Sequence, residues 1–131
     1  MNARLEAGRA EIKARLRAVL LHHTSPDAAI RMVALIPAVL GEHVIPWRRY
    51  DQSRLIRSLV EQLRREGLPV CIRGGSRDGG YFVSAAHAER TAAWFRKRAF
   101  SAFRQEAALR RISLRELFTQ YELDLTQGDP A

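Results

Sequence analysis

With 131 residues and one cysteine, Cys71, the chain has room for a single domain and no internal disulfide, a composition suited to a reducing cytoplasm. Its 22 Lys and Arg against 14 Asp and Glu give a net charge of +8, which favours a polyanionic partner because each neutralised phosphate releases counterions. The apolar run Ala18–Leu21 is too short for a signal core or a membrane span, so no membrane partner is expected.

The predicted elements begin with an amphipathic helix over 2–23, marked by Leu5, Ile12, Leu16, Val19 and Leu20. Thr24-Ser25-Pro26-Asp27 restarts the chain: Ser25 suits the N-cap, Pro26 the first helical position, and Asp27 the positive dipole end. A second helix then runs through Ile30, Val33 and Ala34 to about Ile36, where Pro37 ends or kinks it. His43-Val44-Ile45 reads as a short strand and Pro46 to Tyr50 as one turn of helix, with Trp47 packing it. Asp51 is the expected N-cap of a helix over 52–66, whose apolar stripe is Leu55, Ile56, Leu59, Val60 and Leu63.

Gly67-Leu68-Pro69 is a helix stop, with Gly at the left-handed position. Val70 to Arg73 and Tyr81 to Val83 read as paired strands around a Gly-rich loop, 74–80, whose glycines permit positive φ. Ser84 is placed to cap a long helix, about 85–110, carrying Trp94, Phe95, Ala99, Phe100 and Phe103. A capping box, Ser113-Leu114-Arg115-Glu116, opens a last helix with Leu114, Leu117, Phe118, Tyr121 and Leu125 on one side, and 126–131 fray.

The order from 26 to 83 is that of a winged helix-turn-helix. Leu63-Arg64-Arg65-Glu66-Gly67-Leu68-Pro69-Val70, followed by Gly79-Gly80-Tyr81-Phe82, resembles the LRxxGxPI…GGYF signature of winged-helix proteins of the phage and prophage type. It is also similar to the N-terminal domain of biotin operon repressors. The resemblance covers about 26–84 and implies a mainly α fold with a small β-hairpin wing. It departs from its relatives in the helix before 51, which is barely one turn. The expected layout is an N-terminal helix at 1–24, a winged-helix domain at 25–84 and a helical extension at 85–131.

In that fold a helix entering the major groove turns its apolar stripe inward and a polar, cationic face outward. The expected outward residues on 52–66 are Ser53, Arg54, Arg57, Ser58, Glu61 and Arg65, with Gln62 and Arg64 at the margins. Arg54 and Arg57 lie where base edges are met and Gln52 is placed to read adenine, while Arg48 and Arg49 are placed to hold phosphates. Arg73 and Arg77 are the wing's candidates for the backbone or a minor groove. The plain alternative for each set is a solvated surface. Residues 48–77 nevertheless carry eight basic residues against three acidic ones, the densest positive stretch of the chain.

No other chemistry is suggested. His22, His23, His43 and His87 lack ligand spacing, so neither metal nor cofactor is expected. Cys71 reads as core, no Ser/His/Asp set or carboxylate pair stands out, and the glycine loop lacks the Gly-Lys-Ser/Thr of a P-loop. The chain is therefore not expected to be an enzyme. Trp94, Phe95, Phe100 and Phe103 read as core or dimer contacts rather than a nucleotide platform. The expectation is a duplex-DNA-binding transcriptional regulator or replication-associated factor of phage type. A homodimer through the flanking helices would present two recognition helices about one DNA turn (~34 Å) apart. Two alternatives stand beside it: a winged-helix scaffold that binds a host or phage protein, and a reader of structured RNA.

Overall fold

Apolar residues at 12, 16, 19 and 20 give the first helix one sticky side. The computed structural model describes residues 3–41, 49–74 and 79–127, with side chains described over 8–41, 51–74 and 79–122. In it helix α1 spans Ala3–Leu20. Leu16 and Leu20 are fully buried, and Ile12 and Val19 pack against the same cluster. The helix closes three residues before its expected end, where His22 N donates to Val19 O (3.1 Å) and His23 N to Leu20 O (2.9 Å).

The Ser25-Pro26-Asp27 restart is present, with the Ser25 hydroxyl accepting from Ala28 N (3.3 Å). It makes only a 3-10 turn, Pro26–Ala28. The chain then extends, and Ile30 joins Tyr81 in an antiparallel bridge: Ile30 N donates to Tyr81 O (2.8 Å) and Tyr81 N to Ile30 O (2.9 Å). Only after this does helix α2 form, Met32–Leu40, burying Leu35, Ile36, Val39 and Leu40. Pro37 lies inside α2 and neither ends it at Ile36 nor marks its boundary. It sits on the exposed side with Val33, Ala34 and Ala38, where the carbonyl deprived of a donor reaches water. Gly41, at φ +48°, ends the helix by donating from its N–H to Pro37 O.

Helix α3 spans Arg49–Arg65, so Asp51 stands in its first turn rather than at its cap. There it still complements the helix dipole. The stop at Gly67 forms as expected: Gly67 takes φ +99°, its N–H donates to Arg64 O (3.0 Å), and Leu68 N donates to Leu63 O (3.0 Å). This is a Schellman motif, which satisfies the last carbonyls of the helix.

Strands β1, Val70–Arg73, and β2, Gly80–Val83, form an antiparallel hairpin in the register Val70↔Val83 to Arg73↔Gly80. Gly80 is required for a reason other than positive φ. A Cβ there would come within 2.6 Å of Ile30 O, so only glycine lets the bridge segment approach the wing. The expected strand at 43–45, the turn at 46–48 with Trp47, and the loop tip 75–78 lie outside the described residues.

The order α1, bridge, α2, α3, hairpin is a helical winged-helix-like arrangement, mostly α with a two-stranded sheet. Helix α1 lies in the same compact unit as α2, α3 and the hairpin. Helix α2 has nine residues, and the segment 42–48 between it and α3 lies outside the described residues. The chain divides into two compact units, Met1–Glu89 and Arg90–Ala131. The core of the first is one cluster: Leu16, Leu20, Leu35, Ile36, Val39, Leu40, Ile56, Leu59, Val60, Leu63, Val70 and Val83.

The second unit is a helical hairpin of α4, Ala88–Arg110, and α5, Leu114–Gln127. Ser84 stands at the N-cap ahead of α4, its carbonyl accepting from His87 N (3.3 Å), but its hydroxyl caps no backbone N–H. A 3-10 turn, Ala85–His87, intervenes, and the Ser84 hydroxyl bonds the His87 ring at Nδ1 (2.8 Å). The Ser113 cap of α5 does form, its hydroxyl accepting from Glu116 N (3.1 Å). Phe100 and Phe103 meet Phe118 edge-on at 5.7 and 5.2 Å, and the Tyr121 hydroxyl donates to the Glu106 carboxylate (2.6 Å to Oε1). No helix among the described residues is long and apolar enough to cross a membrane.

Candidate nucleic-acid interface

Helix α3 is the element on which the expected contacts concentrate. Its buried residues are Gln52, Ser53, Ile56, Leu59, Val60 and Leu63. Gln52 is 7% exposed and Ser53 8%, so the expectation that they face outward is corrected. The reason is helical spacing. Gln52 lies one turn before Ile56, and Ser53 two turns before Val60, so both continue the apolar stripe despite their polarity.

The exposed ridge of α3 is Asp51, Arg54, Arg57, Glu61 and Arg65, with Ser58 half-buried beside it. Arg65 Nη2 is held by Glu61 Oε1 at 2.7 Å, one turn back on the same helix. Arg54 and Arg57 are different. Among the described residues neither forms an ion pair or a hydrogen bond, so both guanidinium forks are open to an external acceptor.

One edge of this ridge is lined by α1. Arg9 Nη2 donates to Ser58 Oγ (2.8 Å), and Lys13 Nζ meets Glu66 Oε1 at 2.5 Å. Ser58 is therefore engaged by Arg9, and Arg9 enters the candidate surface as a residue the sequence reading omitted. Its place follows from the packing of α1 along α3.

Arg64 has another task. Its Nε donates to Val70 O (2.8 Å), tying the last turn of α3 to the first residue of the wing. Burial lowers its pKa from the ordinary value, with Tyr81, Cys71 and Glu61 acting in the opposite sense. It remains a cation and fixes where the hairpin leaves the helix. On the hairpin, Arg73 is exposed and its Nη1 donates to Pro26 O (3.3 Å), so the base of the wing is tethered to the 26–28 turn. Arg48 and Arg77 lie outside the described residues, and Arg49 is the first residue of α3, its side chain undescribed.

Cys71 is buried, and its Sγ donates to Ser84 O (3.3 Å), which fits a core position in the strand. Phe100 and Phe103 are half-buried in the α4–α5 hairpin, but Trp94 and Phe95 are 39% and 41% exposed and are not core. No group of His, Cys, Asp and Glu suited to a metal ion occurs among the described residues. Comparisons with protein families, with curated proteins and with solved structures find no match to the chain.

Proposed function

We propose that this protein binds duplex DNA, setting the Arg54–Arg57 face of α3 in the major groove with the 73–81 wing against the backbone. The carrying observation is the pair Arg54 and Arg57: exposed, unengaged among the described residues, and on the helix that leads directly into the hairpin. An arginine fork matches guanine O6 and N7, and each such contact contributes about 1–3 kcal/mol of base discrimination. The net charge of +8 supplies the sequence-independent part of the affinity. Arg9 and Arg73 serve as flanking phosphate contacts in this reading, with Arg49 and, from the sequence, Arg48 and Arg77.

The signature at Leu63–Val70 and Gly79–Phe82 supports a regulator or replication-associated factor of phage type, acting in the cytoplasm by binding rather than catalysis. A two-fold dimer on a palindromic site belongs to the same reading. Selection of bound duplexes from a random pool tests it. An enriched motif that loses its preference for one base pair in Arg54→Ala is the expected result. A pool that stays unenriched contradicts sequence-specific readout.

A second reading, a winged-helix scaffold that binds a protein, is motivated by the acidic, apolar 113–125 segment. A stable pull-down complex that survives both nuclease and Arg54→Ala would replace the first reading with this one.

A further inference from the structure

Helix α4 carries a face that duplex recognition by α3 does not use. At 100° per residue, Phe100, Phe103 and Ala107 point to the α5 side, and Arg90, Trp94, Lys97, Arg98 and Arg104 fall within one arc of about 120° beside it. All five are exposed. From Arg90 to Arg104 this strip runs about 21 Å along the helix axis and includes no acidic residue. Among the described residues Arg90, Lys97 and Arg104 make no ion pair.

Trp94 stands in the middle of these cations. The Arg98 guanidinium lies 4.6 Å from its ring centroid, and Phe95 meets it edge-on at 5.0 Å. An exposed indole already layered with a guanidinium is a surface on which a planar, electron-rich group stacks. Open cations along the same face supply partners for a run of negative charges. Unpaired bases on a phosphate backbone combine both features, whereas a duplex keeps its base faces covered.

We infer that the exposed α4 face centred on Trp94 binds single-stranded nucleic acid, one base stacking on Trp94 and Arg98 while Arg90, Lys97 and Arg104 hold phosphates. This rests on residues separate from Arg54 and Arg57, so it stands or falls independently of the duplex reading.

The test is fluorescence anisotropy of the full-length protein with a labelled dT15 strand and, in parallel, a labelled 15-base-pair duplex. The expected result is dT15 binding that weakens with salt, with a log–log slope of about −0.7 per phosphate neutralised. Trp94→Ala weakens dT15 binding about 10-fold. Trp94→Phe retains most of the affinity, and neither variant changes duplex binding more than about 2-fold; Arg54→Ala leaves dT15 binding intact. The inference is overturned by an absence of dT15 binding or by equal affinity in Trp94→Ala. It is also overturned if a polyglutamate peptide competes as well as dT15 at equal charge, which assigns the face to an acidic protein. A change in light-scattering mass in Trp94→Ala overturns it too, assigning the face to a second copy of the chain.

Discussion

The two units solve the burial problem differently. In Met1–Glu89, three helices and a hairpin converge, so each element's single apolar stripe meets several others, and twelve buried side chains join in one cluster. In Arg90–Ala131 the described residues form two helices, and each can cover just one side of the other. Among its described apolar residues only Ala107 and Leu117 are buried. The hairpin instead depends on edge-on aromatic pairs and the Tyr121–Glu106 hydrogen bond. Cooperative burial thus fixes the first unit, and a few directional contacts fix the second. The same difference leaves Trp94, Phe95 and Leu109 at the surface.

The contrast is broken most severely by truncating the shared core. Leu59 is fully buried in the first cluster, and Leu59→Ala is expected to cost about 2–5 kcal/mol, read as a lower urea midpoint. An unchanged midpoint would mean that the cluster is not cooperative. Next comes Gly80→Ala. The added Cβ meets the Ile30 carbonyl, so the two bridge hydrogen bonds are lost or strained, with an expected cost of about 2 kcal/mol. Amide exchange should show faster exchange at Ile30 and Tyr81 in that variant.

In the second unit, Tyr121→Phe removes one hydrogen bond to a carboxylate and should cost about 1.5 kcal/mol. The loss should appear as faster exchange in α5 with α1 to α3 unaffected. The smallest effect has the opposite sign. Arg111 sits at φ +57° in a Schellman-type turn, with its N–H donating to Ala108 O (3.2 Å) and Ile112 N to Ala107 O (3.1 Å). Arg111→Gly relieves the left-handed strain and is expected to stabilise the α4–α5 turn by about 0.5–1 kcal/mol. A lower thermal midpoint in this variant contradicts that account.

Where sequence reading succeeded, the determinants were local. The stop at Gly67, the Ser25 and Ser113 caps, the hairpin strands and the apolar stripe of α3 each follow from residues within a turn or two of one another. Where it fell short, the determinant was a distant partner. Residues 29–31 carry no strand signal of their own, and Ile30 becomes extended because Tyr81 offers it two hydrogen bonds across the fold. That one bridge splits the expected second helix into a 3-10 turn, Pro26–Ala28, and α2, Met32–Leu40. Pro37 does not end α2 at Ile36, since it sits on the exposed side of the helix, where the carbonyl it orphans is open to water. Gln52 and Ser53 mislead through their polarity, although the spacing from Ile56 and Val60 already pointed inward. Arg9 was invisible because its role depends on where α1 packs.

The central claim, that Arg54 and Arg57 are the unengaged cations through which α3 meets duplex DNA, is tested most directly by the salt dependence of duplex affinity. It is measured on the wild-type protein and on the Arg54→Ala/Arg57→Ala double variant. Each phosphate contact contributes about −0.9 to the log–log slope, and each base contact adds affinity for a preferred sequence that salt does not remove. The account predicts steep salt dependence in both proteins, with the double variant binding its preferred and random duplexes equally. A double variant that still distinguishes them as the wild type does would contradict it.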